Sequence, residues 1–178
     1  MTTGPAFGAP LRQPDQRSCG ASCLVVARMV LDPAYAGAAR PRFGAEVLTT
    51  HRRVTGANPA AGALQLPWPR ALGTPPWAVA REMARITGAP YSWKPARWSR
   101  ETAYDRVVAG LRRGLPVPVY VGSGLLPRHV VLALSERPGS LDVYDPARGR
   151  RTEVEATDFA AGRLALGSWN TPWFVVTP

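Results

Sequence analysis

At 178 residues the chain is long enough for one domain with a real core, and 46% hydrophobic against 19% charged residues excludes a disordered chain. The net charge is +10, from 22 basic residues of which all but Lys94 are arginine. The arginines are scattered and no recognition motif accompanies them, so nucleic acid is not an expected partner, whereas an acidic segment in a peptide substrate is. No apolar run approaches the roughly 18–20 residues of a membrane span. The start carries no basic segment followed by an apolar one, so no secretory signal is visible. A cytoplasmic location is the expectation, with export by a route that reads no such signal left open.

Residues 1–16 are rich in Pro and Gly and read as an extended arm. Ser18 is a candidate N-cap for a helix from Cys19 to Leu31. That helix is apolar on nearly every side, with Arg28 its only charge, so it should be central and packed on several faces. Asp32-Pro33 ends it. Residues 33–75 are interrupted by Pro33, Pro41, Pro59, Pro67 and Pro69 and read as an irregular insert with short helical pieces, suited to a lid or a substrate-selecting segment. Pro75-Pro76 then opens a helix through Ile86, closed by Gly88. Ala89 to Lys94 reads as a strand, and Ser99 caps a helix from Arg100 to Arg113.

The last third changes character. Val117 to Val121 is a short strand whose Pro118 suggests a position near an edge. His129 to Ser135 is a continuous apolar strand. Pro138-Gly-Ser140 turns the chain into Leu141 to Asp145, and Pro146 to Gly149 turns it again. Arg151 to Glu155 and Trp173 to Val176 complete the strands. Helices first and an antiparallel meander second predict an α+β fold for residues 1–178 as a single domain.

Cys19 is the most informative residue. A thiol in the first turn of a buried helix meets the helix's partial positive end, a setting that makes sulfur nucleophilic. Such a nucleophile needs a base and a group to orient the base. His129 begins one strand and Asp145 ends the next. A tight turn between antiparallel strands brings the start of one beside the end of the other, so the two side chains should be close. Period-two alternation places Asp145 with Leu141 and Val143 on the expected core face, and Asp142 with Tyr144 on the opposite one. Asp145 is therefore preferred over Asp142. Gln13, six residues before Cys19, could offer its amide to a developing oxyanion.

Other readings compete. Cys19 and Cys23 could both be small core residues, and for Cys23, a turn deeper, this is the preferred reading. A disulfide between positions one turn apart would strain the helix. His51, among basic and polar neighbours, reads as a solvated loop residue. Zinc held by both cysteines and both histidines fits no familiar spacing. No metal or cofactor is expected.

The segments Gln13-x5-Cys19-Gly-x-x-Cys23-Leu, His129-Val-Val and Tyr144-Asp145-Pro-Ala-x-Gly149, followed by Asp158-Phe159 and a Trp-containing end, resemble papain-like cysteine peptidases. Within them the chain is most similar to the bacteriocin-processing, double-glycine leader peptidase family. The resemblance covers residues 11–31 and 116–176. It implies a papain-like fold in which a helical N-terminal part carrying the nucleophile helix packs on a C-terminal antiparallel sheet. It also implies Cys19 as nucleophile, His129 as general base and acid, Asp145 as its orienter, and Gln13 with the Cys19 backbone N–H as oxyanion donors. The expected activity is hydrolysis of a peptide or protein through a thioester. An amide- or acyl-transferring effector or toxin is the alternative using the same site. A non-catalytic peptide-binding module is the alternative without chemistry.

Overall fold

A computed structural model describes residues 9–56 and 73–178. The expected arm is described only from residue 9, and residues 57–72 of the expected insert lie outside the described residues. The helix α1 runs Cys19–Leu31 and is buried along almost its whole length, as a helix apolar all round must be. Asp32 both ends it and starts the next helix. Its carboxylate accepts the Tyr35 N–H at 2.9 Å, and Pro33 fills the first position of α2 (Pro33–Ala39), where a missing N–H does no harm. A 3-10 turn at Arg40–Arg42 leads into α3 (Phe43–Thr55). Residues 33–55 are thus mostly helical, not irregular. The prolines there sit at helix starts, where they are tolerated.

The helix α4 (Pro76–Thr87) begins on the Pro75-Pro76 pair and ends at Gly88, whose φ of +72° favours glycine. Strand β1 (Ser92–Pro95) and helix α5 (Arg100–Arg112) follow. Ser18 and Ser99 do occupy the N-cap positions of α1 and α5, but neither side chain makes a capping bond; the Ser18 hydroxyl turns back to the Asp15 carbonyl at 3.4 Å.

The strands β2 (Val117–Gly122), β3 (Pro127–Arg137), β4 (Ser140–Asp145) and β5 (Arg150–Glu155) form the meander. A short helix, α6 (Ala156–Ala161), precedes β6 (Thr171–Thr177). The sheet is antiparallel with order β1-β6-β2-β3-β4-β5. Its edges are therefore β1 and β5, and β2 lies inside it, contrary to the expectation from Pro118. The ladder between β2 and β6 begins at Val119, one residue after the proline, so the missing N–H breaks no rung there.

Both faces of the sheet are covered. The helices α1 to α4 pack on the face carrying Tyr120, Val130, Leu132, Tyr144 and Val176. On the other face α5 and α6 cover Val119, Val131, Val143 and Val175. Tyr144 and Asp142 are accordingly buried, not solvent-facing as a sheet with one core face would have it. Asp142 is satisfied by Arg151 at 2.9 Å. The architecture is α+β, and no described helix is long and apolar enough to cross a membrane.

Candidate active site

Three of the four candidate residues meet where α1 begins and where β3 and β4 have their adjoining ends. Cys19 is the first residue of α1 and is only 3% exposed. The close packing around it depends on glycine. A Cβ on Gly20 would lie 2.8 Å from Thr74 Cβ, so this turn of helix can approach the 73–75 segment only without a side chain. Gly73, at φ +77°, runs directly past the sulfur, and a Cβ there would stand 3.8 Å from Cys19 Sγ. Thr74 is fully buried, and its carbonyl accepts the Tyr120 hydroxyl at 2.7 Å.

His129 is 3% exposed and bonds through Nε2 to Asp145 Oδ1 at 2.8 Å. The Cys19 side chain is the other neighbour close enough to influence it. Burial disfavours the imidazolium, but the bond to Asp145 and the nearby Cys19 outweigh it and lift His129 from its ordinary 6.5 to about 9. Burial also works against the Asp145 carboxylate. The bond from His129, aided by the Ala147 N–H at 3.0 Å and by Arg148, wins and holds its pKa below the ordinary value. The Trp169 ring lies flat on the imidazole, with centroids 4.2 Å apart and planes 20° from parallel. It covers the His129–Asp145 bond with apolar surface and keeps the ring from swinging.

Gln13 is anchored beside this group but is not presented to it. Its backbone N–H donates to Pro146 O at 2.9 Å, in the turn that follows Asp145. Its Nε2 donates to Asp15 O at 2.7 Å, while Oε1 is buried with no partner among the described residues. The arm reaches this place because Leu11 bonds to Gly149 O and accepts the Tyr144 hydroxyl. Gly149 must be glycine for that contact, since a Cβ would lie 2.7 Å from Arg12 N.

Cys23 is fully buried, its thiol donates to Val130 O at 3.4 Å, and burial pushes its pKa well up. Both cysteines are free. His51 lies on α3, half-buried, and its charge is felt by Asp15, so it is not the solvated loop residue expected. Among the described residues no three His, Cys, Asp or Glu side chains converge as a metal site. Sequence reading missed Gly73, Thr74 and Trp169. The first two follow the proline-rich segment with no periodic signal, and Trp169 lies in a loop, where only the fold gives it a partner.

A buried imidazole bonded to a carboxylate, with a buried thiol beside it on an α+β scaffold, can support nucleophilic acyl chemistry. No protein-family model matches the sequence, and no curated protein matches it. Among solved structures, the chain is similar to the peptidase domain of Streptococcus ComA, a bi-functional ABC transporter involved in quorum sensing. The identity is 15%, 94% of this chain and 96% of that one are covered, and the TM-score is 0.49. A double-glycine motif protease from an AMS/PCAT transporter, solved in complex with the leader peptide, is 13% identical, with 100% and 96% covered and a TM-score of 0.47. The peptidase domain of Streptococcus mutans ComA gives 15%, 95% and 98%, and 0.44. Likeness at this level assigns no chemistry, which rests on the side chains above.

Proposed function

We propose that the chain is a cysteine peptidase of papain-like, double-glycine-leader type, with Cys19, His129 and Asp145 as its triad. The observation that supports it most is His129, buried between a carboxylate and the thiol that opens α1. In this reading His129 holds the proton taken from Cys19, and Asp145 accepts the Nε2 proton and fixes the ring. The thiolate attacks the scissile carbonyl carbon, and the negative charge moves to its oxygen. Backbone N–H groups at the start of α1, which have no intrahelical acceptor, face that charge. Gln13 joins them once its amide turns away from the Asp15 carbonyl. As the C–N bond breaks, His129 gives its proton to the leaving amine and a thioester remains. Water then adds to the thioester with His129 taking its proton, and the acid leaves as the thiol reforms.

The backbone of Gly73 beside the sulfur and the 3% exposure of Cys19 leave little room at the reacting atoms. Small residues such as Gly at the cleavage site fit this reading. A mass-spectrometric screen of a peptide library tests it. Cleavage after small residues, reduced by about a thousandfold or more in Cys19→Ala with an unchanged melting temperature, is the expected result. Cleavage that persists in Cys19→Ala, or none by the native protein, contradicts it.

A further inference from the structure

Further along α1 a second concavity opens among α1 to α4, a cavity of about 390 Å³ with no contribution from Cys19, His129 or Asp145. Its floor is apolar, made by Leu24, Val25 and Ile86. Its walls are charged. Glu82, 7% exposed, is clamped by Arg53 and Arg85, each at 2.6 Å. Glu46 accepts the Tyr35 hydroxyl at 2.9 Å and pairs with Arg42 at 3.2 Å. Both carboxylates are therefore satisfied.

Arg28 is not. Its guanidinium lies over the Tyr35 ring at 3.8 Å from the centroid, and among the described residues it has no carboxylate or hydrogen-bond partner. Stacking uses the face of the guanidinium and leaves its N–H edge available for a two-pronged bond. Arg28, Arg53 and Arg85 line the cavity with Glu46 and Glu82, and because both carboxylates already have arginine partners, Arg28 is the lining guanidinium left without one. One free charge with carboxylates nearby suits a single carboxylate and repels a multiply charged anion. An Asp or Glu side chain has that one charge and a short apolar stem for the floor.

The cavity shares its helix with the nucleophile. From Cys19 to Arg28 the rise along α1 is about 13 Å, and an extended peptide covers about 3.3 Å per residue. A peptide with its scissile bond at Cys19 can therefore reach the cavity with a residue about four or more positions away. We infer that the cavity among α1 to α4 docks an acidic side chain of the peptide substrate, through the Arg28 guanidinium, at a distance from the scissile bond. The inference rests on the peptidase reading for what the peptide is, but its test does not need turnover.

The test pans a displayed library of random dodecapeptides on the Cys19→Ala protein and measures binding of the synthetic winners. The expected winners share an Asp or Glu at one fixed position. Replacing that residue by its amide weakens binding about tenfold or more. Arg28→Gln produces a similar loss, and the two changes together lose little more than either alone. Arg106→Gln, an equal change of charge at an exposed position of α5, leaves binding within about twofold. Winners without an acidic position, or an equal loss from Arg106→Gln, overturn the inference. If Arg28→Gln does not fold, the amide replacement in the peptide still gives the answer. Cys19 reactivity is measured separately, so failure here is distinguishable from failure of the peptidase reading.

Discussion

The two faces of the sheet supply different halves of the candidate site. The face under α1 to α4 delivers the thiol, at the first residue of a helix packed so closely that Gly20 must lack a side chain. The face under α5 and α6 delivers the base and its partner. His129 and Asp145 alternate with Val131 and Val143 on that side and are covered there by Trp169. They come together at the start of α1 and the adjoining ends of β3 and β4. The lesson is that the sheet acts as a spacer: its register fixes the base and its helix packing fixes the sulfur.

Asp145→Asn should break the second half with the largest effect. A fall in activity of about 10² to 10⁴-fold is expected with the fold retained. The alkaline limb of the pH–rate profile should move as well. Native His129 loses its proton near 9, and removing the Asp145 charge takes away a main cause of that elevation. The sign for stability follows. His129 is raised from 6.5, so its contribution is fully present below about 6.5 and is lost as pH rises through 9. Asp145 is lowered, so its contribution is present above the ordinary carboxylate range and is lost on acidification. Urea titrations at about pH 3, 6 and 10 check both directions.

Gly20→Ala should break the first half with a smaller effect. The new Cβ meets Thr74 at 2.8 Å, and overpacking of this kind destabilises by about 1–3 kcal/mol. The gain in helix propensity offsets less than about 1 kcal/mol of that. Urea denaturation should show the net loss, and Cys19 reactivity should fall with it because its neighbour has moved. The smallest effect belongs to Cys23→Ala, which removes one thiol bond to Val130 O. A loss of about 1 kcal/mol in stability, with unchanged activity, separates the two thiols of one helix.

Much of this arrangement was legible in the chain. Alternation and a tight turn were enough to place His129 beside Asp145, because both signals are local. The apolar circumference of residues 19–31 was enough to make α1 central. The position of β2 was not legible, since Pro118 signals a missing donor but not which neighbour needs one, and β6 returns from far along the chain to pair there. The bounds of the short helices expected within 33–55 were hidden for a related reason: proline reads as a breaker unless each is recognised as a helix start. Gln13 shows the limit for side chains. Its spacing from Cys19 suggested an amide free for a developing oxyanion, but the competing Asp15 carbonyl that holds that amide is a matter of loop geometry.

The most direct test of the central claim, that Cys19 and His129 act as one unit oriented by Asp145, is the pH dependence of iodoacetamide alkylation, mapped to each cysteine, in the native protein and in His129→Ala. The account predicts rapid modification of Cys19 that persists below about pH 6, is lost in His129→Ala, and leaves Cys23 untouched. Modification of Cys19 only as pH approaches about 8.5, the range of an ordinary thiol, or at equal rates in both proteins, would contradict it.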